Sequence, residues 1–83
     1  MTHLSTVLVR ADWDAEAEVW VATSQDVPGL AVEAETFKEL IKVLDDVVPE
    51  LLVENGVVAP GEAGELPVHI AAHALSKVSL AAS

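Results

Sequence analysis

One apolar stripe limits what this chain can fold into. Phe37, Leu40, Ile41, Leu44, Val47, Val48, Leu51 and Leu52 recur at spacings of three and four. That is the period of an amphipathic helix with one buried face. Thr36 stands where an N-cap belongs, with Glu39 three residues on, the spacing of a capping box. Gly56 stands near the C-terminal cap. Pro49 interrupts the stripe without changing its phase, at a cost of roughly 3 kcal/mol inside a helix. The pattern predicts one kinked helix, or two short coaxial ones. A single helix covers one face of a sheet and leaves the other open.

The other apolar runs read as strands. Residues 4–13, LSTVLVRADW, and 18–24, EVWVATS, are rich in β-branched and apolar residues. Residues 14–17, DAEA, connect them as a hairpin. Pro28 and Gly29 fit positions i+1 and i+2 of a type II turn, and LAVEAE follows as a short third strand. Residues 55–67 carry Gly and Pro and read as a loop. In LPVHIAAHALSKVSL, Pro67, Val68 and Ile70 favour a strand; residues 72–80 read as either strand or helix.

The expected architecture is therefore α+β, a two-layer β-β-β-α-β domain over residues 1–83, with an antiparallel sheet and the helix on one face. Period-2 phasing assigns Val7, Val9, Ala11, Trp13, Val19, Val21, Leu30, Val32, Val68 and Ile70 to the covered face. The uncovered face would hold Leu8, Arg10, Glu18, Trp20, Ala22, Ala31, Glu33, His69, Ala71 and His73. These ten are the interface candidates, since a tryptophan among alanines on an open sheet is an apolar patch of the kind that marks interfaces.

Charge narrows the partners. Fourteen acidic residues against four basic ones give a formal net charge of −10. Nucleic acid needs a cationic surface, and anionic membrane repels such a chain. A basic protein would be steered toward it; acidity also keeps a small apolar protein soluble. There is no cysteine, which removes disulfides and thiolate metal sites. No basic leader with a long apolar core is present and no run approaches a membrane span. A cytoplasmic protein without a cofactor is expected.

Catalytic constellations are weak. Asp12, Asp14, Glu16 and Glu18 cluster at the first hairpin, where alternating carboxylates do not converge on one cation. His69 and His73 would share a metal in a helix, and in a strand would sit roughly 13 Å apart. His3 is the third histidine. No G-x-S-x-G and no Gly-rich phosphate loop occur. A metal-dependent, nuclease-like enzyme is the minor alternative; a non-catalytic chain is expected.

The blocks WDAEAEVWVATSQDVPGL and EAETFKELI…VPELL, with ELPVHIAAH beyond them, resemble the small-domain family grouped with HicB-type antitoxins. The likeness spans about residues 7–75 and is to the stand-alone branch of uncharacterised proteins. It implies a β-β-β-α-β domain of partial ribonuclease-H-like or double-stranded-RNA-binding-like arrangement, and association into dimers or higher oligomers, such as tetramers. It also implies an antitoxin-like partner for a small basic RNA-cleaving toxin. Full antitoxins of that group add a C-terminal DNA-binding segment. After Gly64 this chain has about one strand's worth of residues, so operator binding is not expected. The second expected function is a stand-alone homo-oligomeric structural protein.

Overall fold

The computed structural model describes residues 6–61 and 64–81. The expected start of the first strand at Leu4, the third histidine His3, and residues 62–63 of the expected loop lie outside that range. Five elements follow in the order β1 (Val7–Asp14), β2 (Val19–Thr23), β3 (Ala31–Ala34), α1 (Phe37–Glu54) and β4 (Val68–His73). The α+β reading holds, with α1 packed on one face of a four-stranded sheet ordered β3-β2-β1-β4. One part needs correction. β1, β2 and β3 pair antiparallel, but β4 joins β1 in parallel. The chain leaves β3 at one edge, crosses the sheet through α1 and re-enters at the opposite edge. A crossover of that kind returns the strand in the direction it left.

The helix is built as its sequence dictates. The Thr36 hydroxyl accepts from the Glu39 N–H at 3.1 Å. At the other end Gly56 takes φ +73°. Its N–H donates to Val53 O at 3.1 Å and that of Val57 to Leu52 O at 2.9 Å. This pair of bonds is a Schellman cap, which needs a residue that adopts positive φ without strain. Pro49 does not divide the helix, which runs continuously from 37 to 54. It sits on an exposed position, and its missing N–H leaves the carbonyl of Asp45 without the usual i+4 donor.

Leu40, Leu44, Val48 and Leu52 form the buried stripe of α1 and pack with Val7, Val9, Ala11, Ala22, Val27 and Leu30. Burying each Leu or Val is worth about 1.5–3 kcal/mol, and no buried side chain in this cluster is polar. The turn at Val27–Leu30 forms as expected. Leu30 N–H reaches Val27 O at 3.1 Å and Gly29 takes φ +88°. Asn55 Nδ2 donates to Pro28 O at 3.0 Å, tying that turn to the end of the helix.

Candidate protein-docking surface

The register of the first hairpin decides which side chains are free. Ala11 pairs with Ala22 and Trp13 with Trp20. Directly opposed residues share a face, so Trp20 and Ala22 lie on the helix side, with Val9 and Ala11. Trp20 stacks edge-to-face on Phe37 of the helix at 5.2 Å and on Trp13 at 5.5 Å, and Ala22 is fully buried. The expectation that Trp20 and Ala22 mark the open face is therefore overturned, as is the assignment of Val19 and Val21 to the covered one. Within one subunit Trp20 packs half-buried beside the helix rather than on the open face. Glu18 sits in the hairpin turn rather than in β2.

The remaining candidates stand where expected. Leu8, Arg10, Ala31, Glu33, His69, Ala71 and His73 are exposed on the side away from α1. Their chemistry is mixed. Arg10 Nε bonds both oxygens of the Asp12 carboxylate, at 2.9 and 3.1 Å, and that neighbour raises the guanidinium pKa further, chiefly through the hydrogen bond and then through charge. Leu8 is 57% exposed but is the one large aliphatic side chain there with that exposure. This face is a solvated sheet surface with an isolated leucine.

The acidic residues near the hairpin have local structural tasks. Asp14 Oδ1 accepts from the N–H groups of Glu16 and Ala17, shaping the turn. Asp26 Oδ2 accepts from Leu8 N–H at 2.8 Å, and Ser24 Oγ donates to Leu8 O at 2.7 Å. β2 ends at Thr23, opposite Arg10. The next groups of β1 on that side are thus satisfied by two side chains of the departing loop. Among the described residues no group of three His, Cys, Asp or Glu converges as a metal site.

Apolar surface without cover is found elsewhere, on the flank of β4. Val68 and Ile70 pair with Val7 and Val9, which places them on the helix side of the sheet. Yet α1 lies over β3 and β2. Val68 stays 38% exposed, as does Ile41 at 36%. Between the helix and β4 runs a groove of about 710 Å³, lined by Ile41, Val48, Leu52, Val57, Leu66, Val68 and Ile70 among others. β4 is also an edge strand. Pro67 O accepts from Val7 N–H, so odd-numbered residues turn their backbone groups toward β1. Val68, Ile70 and Ala72 turn theirs outward, with no partner among the described residues.

Beyond His73 the chain runs on as residues 74–81 without regular structure. Leu75, Val78 and Leu80 are 85%, 80% and 91% exposed. The molecule measures 62 × 21 × 18 Å with a radius of gyration of 16.0 Å, against about 12 Å for a compact domain of this length. Chain must stand away from the body, and this tail does. Sequence reading assigned Val68 and Ile70 to the covered core; Ile70 is half-buried against it, whereas Val68 stays exposed. It left the tail open between strand and helix, although three large apolar residues after the last strand were a visible signal.

A family model described as "Domain of unknown function (DUF1902)" matches residues 6–79. The crystal structure of the hypothetical protein TTHA1013 from the extremely thermophilic bacterium Thermus thermophilus is similar, with 52% identity and a TM-score of 0.65. The match covers 90% of this chain and 99% of that one. No functionally curated protein matches.

Proposed function

We infer that this chain, which belongs to the DUF1902 family, is a non-catalytic protein-binding module. The observation that carries the reading is the β4 flank. An apolar groove lies beside an unpaired strand edge, and an exposed apolar tail leaves from the far end of that same strand, in a molecule of 83 residues. Unpaired edges template the addition of another strand, and exposed apolar patches of this kind mark protein contacts. A chain this small gains from such cover, because its own core is modest.

Charge supports a basic partner. The one arginine is paired with Asp12, while Glu33, Glu39, Asp45, Asp46 and Glu50 are exposed. Together with the resemblance to HicB-type antitoxins, this favours an acidic, antitoxin-like partner that blocks a small basic RNA-cleaving protein. The test is to identify the adjacent gene's product and, where it is a small Lys/Arg-rich protein, to titrate this chain with it. Binding is expected, weakening sharply between about 50 mM and about 500 mM salt as screening shortens the field. No binding at low salt would remove the antitoxin-like part of the reading. Free exchange of the β4 edge amides with no protein bound there would remove the rest.

The second reading, a stand-alone homo-oligomer, has its own support. The exposed tail is apolar where the flank is apolar, so the chain carries both halves of a contact.

A further inference from the structure

We propose that two copies of this chain pair about a two-fold axis at Ala74, residues 76–80 of each adding as an antiparallel strand to the free β4 edge of the other. This rests on the β4 flank being a docking surface and names what occupies it.

Among the described residues the tail does not cover this flank within one subunit, where Val78 and Leu80 stay 80% and 91% exposed. β4 runs away from the groove and ends at His73, beside Asp12 and Trp13. The tail therefore leaves from the far end of the strand. Folding back would need a tight turn around Ala74 and Leu75, and the stretch HALSK has no Gly, Asn, Asp or Pro to make one. A two-residue turn there would also pair Val78 with Ala71 and Leu80 with His69. Both apolar side chains would then fall on the side away from the groove.

A second copy removes the conflict. A two-fold axis perpendicular to a sheet maps each face onto itself. Opposed residues share a face, so antiparallel partners across such an axis are even with even and odd with odd. The outward-facing backbone groups of β4 are those of even residues, Val68, Ile70 and Ala72. With the axis at Ala74, they meet the partner's Leu80, the partner's Val78 and the partner's Ser76. The two largest apolar side chains of the groove side of β4 thus receive the two apolar side chains of the incoming strand. Leu75 and Lys77 fall on the open face. The contact is isologous and closes on itself, and it joins the two sheets into one with neither β4 edge left free.

The chain has no cysteine, so single cysteines report the register. In Ala74→Cys the two thiols face each other across the axis, within the 4.4–6.8 Å Cα separation that a disulfide spans. In Ser79→Cys they lie roughly 33 Å apart, ten residues along the paired strands. Under mild oxidation Ala74→Cys is expected to become a covalent dimer at least about tenfold faster than Ser79→Cys. Light scattering on the unmodified chain is expected to give twice its 8.7 kDa mass. Val78→Asp is expected to give a single mass with an unchanged circular dichroism spectrum, because Val78 is 80% exposed in its own subunit. Equal cross-linking of the two cysteine variants would overturn the register. A Val78→Asp dimer would overturn the role of the tail while leaving the flank as a docking surface. A wild-type monomer whose β4 edge is bound by a different protein would overturn the second copy as occupant and leave the proposed function standing.

Discussion

At Glu18 the backbone takes φ +56°, the left-handed region, where a side chain beyond glycine costs roughly 1–2 kcal/mol. The hairpin imposes it. Asp14 holds the N–H groups of Glu16 and Ala17, and the chain must then turn into register so that Val19 meets Asp14. Glu18→Gly is accordingly expected to raise stability by about 0.5–1 kcal/mol, read as a higher urea midpoint at constant slope. A lower midpoint would mean that Glu18 makes a contact worth more than its strain. Trp20 separates packing from docking more sharply. It touches Phe37 and Trp13, so Trp20→Ala is expected to cost about 2–3 kcal/mol, less than a fully buried ring because it is half-exposed. The variant's mass in solution should not change. Intact stability with lost association would return Trp20 to the interface.

Among the elements, α1 carries one avoidable cost. Pro49 interrupts the hydrogen-bond ladder on an exposed position. Pro49→Ala is expected to raise the unfolding free energy by about 1–3 kcal/mol, measured by thermal or urea unfolding. A loss of stability would show that the ring packs usefully along the groove it borders. The helix was legible in the sequence down to its caps, because Thr36, Glu39 and Gly56 are local signals read within one turn. The β3 and β4 phases were legible for the same reason. The face of β2 was not read correctly, although the sequence contains it. A four-residue hairpin loop opposes residues whose numbers sum to an odd value, so odd residues of β1 face even residues of β2. Val19 and Val21 look like core by hydrophobicity, and only the loop's parity corrects them. The parallel entry of β4 depends on where α1 lands, and no local pattern in residues 55–67 encodes that. The pairing of Asp26 and Ser24 with Leu8 joins residues 16 and 18 positions apart, beyond the reach of any turn signature.

The whole molecule combines a closed core on the β3 side with an unfinished edge on the β4 side. Its net charge of −10 repels like copies at long range, with an effect that falls off over a Debye length of about 8 Å at physiological salt. Association between copies therefore needs apolar contact at short range, and the β4 flank offers it. A basic partner would be drawn to the same molecule by the opposite sign, toward acidic groups on the outer side of α1 that the flank leaves free. The most direct measurement is residue-resolved amide hydrogen exchange on the purified chain, alone and with any small basic protein that the adjacent gene encodes. The account predicts slow exchange at Val68, Ile70 and Ala72, whose amides have no partner among the described residues of one chain, because another polypeptide strand covers that edge. Exchange at these three amides as fast as in an unstructured peptide, under both conditions, would contradict it.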